Sequence, residues 1–555
     1  MKKKVISALS LIGLYLPGAS ATDAVEFDWF RYDTPPALYE VEETQFKNPV
    51  LPGYYPDPSI TRKGDDYYLV NSSFSYTPGL PVFHSKNLTD WKLVGYALDR
   101  ASQTSFTGLG MSRGIFAPTL RYHDGVFYLI TTAVDSGGNF ILTATDPAGP
   151  WSEPVWLPEV GGIDPDIFFD DNGKAYIAHN DAPPGEPLYN GHRAIWLWEF
   201  DLTTMKVVPS SRKLLVNGGV DISQKPVWIE GPHIYKKDGW YYLTCAEGGT
   251  GPQHSQVVFR TRSLNDAFVP YQNNPILTQR DLPLPRPDAV DAAGHADFIQ
   301  GPDGRWWSVF LATRPYLNDW YNTGRETFLL PMTWQTGWPM ILPSGKPIPV
   351  TLPKPYPDIK SESTAFYSWR EDFTDVELGL RWQGLRSFNR DWVHIQGGRM
   401  KLTPLREPLT SKGDVSYLGV HQSAAEYAVE TEMYLPESTG VSGGLAAFQS
   451  EAFHYYFGAR YTTAGTQLFV ERTVDGKTST VATHRLKAMQ PEAITLRIRG
   501  DKERIYFDFR TSRGWTSMLE KTANTSSPAM DATWLSTNKA GGFVGTTLGL
   551  HSRKD

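Results

Sequence analysis

The chain has 555 residues, 40% hydrophobic and 20% charged, the balance of a globular protein too long for one ordinary core. Its formal charge is −7, with no basic run beyond Lys2–Lys4, which argues against nucleic acid or an anionic membrane as partner. Cys245 is the only cysteine, so no internal disulfide can form and stability must come from burial.

Met1-Lys-Lys-Lys leads into an apolar run over 5–16 and then Ala19-Ser-Ala21, the three-part layout of a secretory signal peptide cleaved after Ala21. Residues 1–21 hold three lysines and no acid, so their removal takes the formal charge to −10. The apolar run is too short to cross a membrane, and no later stretch reaches about 20 apolar residues. Export to the periplasm or beyond is expected. Residues 22–45 are read as an N-terminal strand and connector. In them Glu26-Phe-Asp-Trp-Phe-Arg-Tyr32 is a predicted strand, with Phe27, Trp29 and Arg31 alternating against Asp28, Phe30 and Tyr32. Alone beside a cleavage site, its backbone and aromatic faces would be unpaired.

From 46 to 345 one layout recurs. In Gly161-Gly-Ile-Asp-Pro-Asp-Ile-Phe-Phe-Asp-Asp-Asn-Gly-Lys-Ala-Tyr176 an apolar, acid-bearing strand runs through a tight turn into an aromatic strand. Gly64-Asp-Asp-Tyr-Tyr68, Asp124-Gly-Val-Phe-Tyr128, Asp238-Gly-Trp-Tyr-Tyr242 and Asp303-Gly-Arg-Trp-Trp307 repeat the turn and its aromatics, at intervals of 60, 48, 66 and 65 residues. Such a period, with short strands and Gly-bearing hairpins, predicts a β-propeller, and five units predict five blades. Eleven or twelve residues before each closing aromatic stand Asp57, Phe116, Asp164, Glu230 and His295. Equivalent inner-strand positions face one axis, so three acids, an aromatic and a histidine are predicted to share a pocket.

Residues 346–366 form a linker whose Pro347, Pro349, Pro353, Pro355 and Pro357 are too closely spaced for helix or central strand. From 367 to 555 the pattern changes to short alternating strands such as Tyr427-Ala-Val-Glu-Thr-Glu-Met-Tyr434 and Ile494-Thr-Leu-Arg-Ile-Arg499, which predict a β-sandwich.

Two carboxylates facing across a pocket are the minimum for hydrolysing a glycosidic bond. One donates a proton to the leaving oxygen while the other, ionised, activates water or attacks carbon. A third carboxylate can raise the acid's pKa by like-charge repulsion. Asp57, Asp164 and Glu230 supply that number, and the longer reach of Glu suits the donor. Aromatics at 13%, with 18 Trp, provide flat apolar faces suited to sugar rings.

Asn48-Pro-Val-Leu-Pro-Gly-Tyr-Tyr-Pro-Asp-Pro-Ser59 closely resembles the opening of glycoside hydrolase family 43 β-xylosidases and α-L-arabinofuranosidases. So do Ser73-Phe-Ser-Tyr-Thr-Pro-Gly-Leu-Pro-Val-Phe-His-Ser85, Gly162-Ile-Asp-Pro, Glu230-Gly-Pro-His, Gly294-His-Ala-Asp297 and Gly324-Arg-Glu-Thr327. The resemblance implies a five-bladed propeller followed by a concanavalin-like β-sandwich, and exo-acting hydrolysis with inversion. It makes Asp57 the general base, Asp164 the pKa modulator and Glu230 the general acid. Arg325 would contact the sugar, Phe74 and Phe116 would line its pocket, and His295 would sit at the axis, where related enzymes hold a water-linked Ca2+ or Na+ ion. Phe543, in Gly541-Gly-Phe-Val-Gly545, is a candidate for a wall supplied by the second domain, the alternative being an ordinary sandwich core residue. No cofactor is expected for the chemistry itself. The expected substrate is a plant cell-wall polysaccharide or oligosaccharide losing terminal α-L-arabinofuranose, β-D-xylose or both. An endo-arabinanase and a non-catalytic sugar-binding propeller are the alternatives.

Three departures stand out. Asp166 occupies a place where many relatives have Ser, and Phe116 one where many β-xylosidases have Trp. Relatives often end in an aromatic-acidic strand that closes the sandwich, whereas this chain ends at Gly549-Leu-His-Ser-Arg-Lys-Asp555. The strand at 26–32 is therefore expected to cross the molecule and supply it.

Overall fold

Asp-Gly pairs set the pitch of the first domain. In Asp124-Gly125 and Asp238-Gly239 both residues take positive φ (46° and 86°, 52° and 72°), the backbone of a two-residue hairpin turn matched to strand twist. The computed structural model describes residues 24–436, 438–486, 493–519 and 529–555, and the targeting segment read at 1–21 lies outside them. Five antiparallel sheets begin with the inner strands Ser59–Lys63, Thr119–His123, Ile163–Phe169, Glu230–Lys237 and Asp291–Gln300. Each inner strand packs on the next and the fifth on the first, closing a five-bladed propeller. Trp91 and Trp151, which follow the outer turns of blades one and two, are buried and donate their indole N–H to the carbonyls of Leu88 and Pro147.

The ring is held shut by side chain and ribbon. Asn48 exchanges two bonds with the Leu329 backbone, both 2.9 Å. Gln45–Lys47, at the end of the connector, pairs with Thr351–Pro353 in the Pro-rich linker.

The second domain is a sandwich of two antiparallel sheets. One is built around Glu426–Tyr434, Ile494–Asp501 and Arg504–Thr511, the other around Thr547–Lys554, Val441–Ser450, Phe453–Thr462 and Gly465–Val474. Among the described residues no helix is long and apolar enough to cross a membrane.

The N-terminal strand, Val25–Asp33, belongs to this second domain. It pairs along Glu426–Tyr434 on one side, and with Met400–Leu402 and Trp369–Glu371 on the other. It thus crosses to the sandwich as the sequence suggested, and lies inside the sheet with strands on both sides. Strict alternation is broken. The pairing shifts between Phe27 and Trp29, and this bulge lets Phe27, Phe30 and Tyr32 all enter one core. Outside that core, Arg399 pairs with Asp28 at 2.6 Å and Lys401 with Glu26 at 2.8 Å. Tyr32 hydroxyl accepts from Ser423 N–H at 2.9 Å.

Phe30 is fully buried and meets the ring of Trp382 edge-on at 5.0 Å. Phe30→Ala should cost about 3–5 kcal/mol, read as a lower urea midpoint for the sandwich; an unchanged midpoint would refute this account of the strand.

Candidate active site

Three of the five inner strands enter the ring through a break in register. Pairing shifts between Ile163 and Asp166, between Glu230 and His233, and between Gly294 and Asp297. Asp57, Asp164 and His295 carry left-handed backbones, with φ of 52°, 56° and 52°. Such residues cost about 1–3 kcal/mol each and persist where surrounding structure holds them. Here the kinks leave the side chains at the mouth of the ring. Gly231, after Glu230, has no side chain for a local reason: a Cβ would stand 2.7 Å from His295 Nε2.

All eight residues selected from the sequence line one cavity of about 290 Å3: Asp57, Asp164, Glu230, Phe74, Phe116, His295, Arg325 and Phe543. That volume is at the small end of ligand pockets, which run from roughly 300 to 1,000 Å3. Arg325 donates to Asp57 at 2.8 Å and to Thr250 Oγ1 at 3.2 Å. Ser72 donates to the other Asp57 oxygen, and His295 Nδ1 stands 3.6 Å from Asp57. Asp164 accepts from Gly231 N–H at 3.2 Å.

The electrostatics separate these groups. Burial, then the nearby Asp57 carboxylate, pushes Glu230 up to about 7, against the cations of Arg325 and Arg193. Burial, then Glu230, then Asp57, pushes Asp164 well above the usual carboxylate range. The two groups interact and titrate as a pair. Burial pushes His295 down to about 3, which leaves a neutral imidazole.

Phe74, Phe116 and Phe543 form an apolar wall with ring centroids 5.0–5.8 Å apart. Phe543 reaches the cavity from the sandwich. Its N–H donates to Ser112 Oγ at 2.9 Å, and next to it Gly545 lies so close to Gly324 that a Cβ on Gly324 would meet its Cα at 2.8 Å. The two domains therefore build one pocket.

The family model for glycosyl hydrolases family 43 matches residues 46–339, and that for the β-xylosidase C-terminal concanavalin A-like domain matches residues 370–554. The chain belongs to glycoside hydrolase family 43. It is an O-glycosyl hydrolase. It is 37% identical over 512 residues to a xylosidase/arabinosidase of Butyrivibrio fibrisolvens, covering 91% of this chain and 95% of that one. It is 34% identical to a non-reducing end α-L-arabinofuranosidase of Bacteroides ovatus, covering 93% of each. Among solved structures, a family 43 enzyme retrieved from a capybara gut metagenome superposes with a TM-score of 0.88 at 38% identity, covering 96% of this chain and 100% of that one.

One tier further along the inner strands lies a second cluster. Arg121, from blade two, donates to Asp297 at 2.7 Å and to Asp166 at 2.9 Å, and its Nη2 is 3.1 Å from His233 Nδ1. Ser59 and Tyr235 each donate to Asp297 at 2.6 Å. Burial raises the Asp297 pKa, but Arg121, then His233, holds it well below the usual range. Asp166 therefore turns to the axis beneath the pocket and serves this tier. Every carboxylate oxygen here already accepts at least one N–H or O–H, and a guanidinium already stands among them. The carboxylates of this tier therefore leave no oxygen free for an additional cation, while His295, where the axial ion was expected, lies in the pocket tier above. Among the described residues, no group of three or more His, Cys, Asp or Glu side chains is placed to hold a metal.

Sequence reasoning missed Arg121, and with it Trp228, Thr250 and His254 of the pocket lining. Trp228 lies two residues before a candidate acid and Arg121 on an inner strand of the repeat, whereas Thr250 and His254 lie in the loop between Trp240–Glu247 and Ser255–Thr261.

Arg121→Met would leave Asp166 and Asp297, both fully buried, without their cation. It should cost about 3–5 kcal/mol, measured by urea denaturation. A chelator should leave the wild-type thermal midpoint unchanged, and a fall would restore a structural metal to the account.

Proposed function

We propose that the chain is an exo-acting, inverting hydrolase that removes terminal α-L-arabinofuranose, β-D-xylose or both from hemicellulose oligosaccharides. The observation that carries this reading is three carboxylates in one small pocket whose wall includes Phe543 of the second domain. A walled pocket suits a chain end; an endo-acting enzyme needs a groove open at both sides. A sugar-binding propeller would not need a carboxyl held near 7 beside two other acids. The names of the relatives agree with both pentoses. Export, as expected from residues 1–21, would bring the enzyme to such fragments.

In this mechanism Asp57, as carboxylate, takes a proton from a water molecule whose oxygen attacks the anomeric carbon. Glu230 gives its proton to the glycosidic oxygen as the carbon–oxygen bond breaks. The products are the inverted free sugar and the shortened alcohol, and proton exchange with solvent resets both acids. Arg325 and Ser72 orient Asp57. Asp57 supplies the negative charge that holds Glu230 toward its protonated form, and Asp164, itself pushed above the usual carboxylate range, is the modulator that titrates with Glu230. The phenylalanine wall receives the apolar face of the terminal sugar.

Glu230→Gln should lower kcat by about 100-fold or more on natural oligosaccharides, and by much less on activated aryl pentosides, whose leaving groups need little protonation. Full activity on natural substrates would sink the assignment.

The acid works protonated, so activity should fall as pH rises through about 7. In a pair that titrates together the second proton leaves against the charge left by the first, so Asp164→Asn should move that alkaline limb to lower pH. A limb that stays in place would remove Asp164 from this role. Monosaccharide as sole early product would support exo attack; early release of mixed oligomers would refute it.

A further inference from the structure

Trp228 is the one large aromatic of the pocket that faces solvent. It is 38% exposed and lies two residues before Glu230 at the cavity mouth. Its backbone is left-handed, with φ of 52°, a conformation that bulky residues rarely adopt. The strain is fixed from several directions. Trp228 N–H donates to Gly191 O at 2.9 Å, Gly248 N–H donates to Val227 O at 2.9 Å, and the Asn180 amide donates to Ile229 O.

Beneath the indole lies Arg193, its guanidinium 4.7 Å from the ring centroid. Arg193 is itself held by two bonds to Asn180 Oδ1, at 3.1 and 3.3 Å. One cation thus supports one face of the ring, and what remains exposed is turned to the mouth. Two further apolar side chains are exposed nearby in the chain, Val227 in the same segment and Leu188 three residues before Gly191, whose carbonyl accepts from Trp228 N–H. An apolar rim around a strained, exposed and firmly seated indole is a poor way to end a loop, and a good way to present a flat face.

We propose that Trp228, backed by Arg193, is the platform for the leaving-group sugar. The inference rests on the activity proposed above, because the side of the pocket that holds the proton donor is the side where the departing oxygen and its sugar must lie. The platform makes the enzyme selective for terminal pentoses attached to another sugar ring, and it receives the apolar C–H face of that ring.

The test uses the full-length protein and the variants Trp228→Asn and Trp228→Phe. Asn tolerates a left-handed backbone, so the first variant removes the platform without a folding penalty; its thermal midpoint should match or exceed that of the wild type. Substrates are a pentose-terminated oligosaccharide and the pentosyl fluoride of the same anomeric configuration, whose leaving group has no ring. Trp228→Asn should lower kcat/KM on the oligosaccharide by about tenfold, the scale of one aromatic stacking contact. It should leave the fluoride, and inhibition by free pentose, within about twofold. Trp228→Phe should recover most of the loss. An equal loss on both substrates would show a merely structural role and overturn the proposal, as would no loss on the oligosaccharide. A wild-type enzyme inactive on every pentoside would overturn the activity itself, a failure distinct from that of the platform.

Discussion

One guanidinium occupies the point where all five blades meet. Arg121 comes from blade two and binds Asp166 of blade three and Asp297 of blade five, with His233 of blade four and Ser59 of blade one in reach. A propeller must bring five strand ends to one axis, and each delivers polar backbone and side-chain groups that water cannot easily serve. A planar, always-charged fork with five N–H donors suits that position better than a lysine point charge. Because Asp297 also accepts from Ser59, Tyr235 and backbone N–H groups, the carboxylates of the tier are fully hydrogen-bonded, and such networks hold one arrangement firmly.

That floor makes the pocket above it possible. Three carboxyl groups and a desolvated histidine are an unfavourable assembly, since burial and mutual repulsion both resist ionisation. The left-handed residues Asp57, Asp164 and His295 add local strain. The structure offsets these costs outside the pocket, in the blade cores, the axial tier and the buried tryptophans of the outer turns. Stability is thus spread through the domain, while the energetically poor groups are concentrated where protons are to move.

The sandwich contributes more than bulk. Phe543 is part of the pocket wall, and its position depends on Ser112 from the propeller and on the close approach of Gly324 to Gly545. Further ties lie nearby. Arg314 binds Glu326 at 2.6 Å and donates to Ser423 O, and the buried Arg386, paired with Glu451 at 3.0 Å, donates to Leu109 O of the propeller. The N-terminal strand belongs to the same support, since Tyr32 binds Ser423 and fills the sandwich core. A segment more than 500 residues before Phe543 in sequence therefore helps to hold the domain that carries it.

What the sequence determined by itself was everything governed by local rules. Asp-Gly turns, two-residue alternation and the recurring aromatics depend on neighbours a few residues apart, so blade number and the change to a sandwich could be read directly. The equivalence of Asp57, Asp164, Glu230 and His295 followed from counting, because a repeat carries its geometry with it. The aromatic strand near the N-terminus declared that it needed partners. The missing final strand pointed to the sandwich as their source; the tertiary structure decided which of its strands pair with it and put it inside a sheet, since pairing depends on which strands leave backbone groups free. It also decided that Phe27 would share a core with Phe30, through a bulge the alternation did not announce. Arg121, His254 and Trp228 were decided in the same way. Their surroundings come from segments distant in sequence, and no local pattern encodes which buried charge a distant cation will meet, or which face of an indole will be left open.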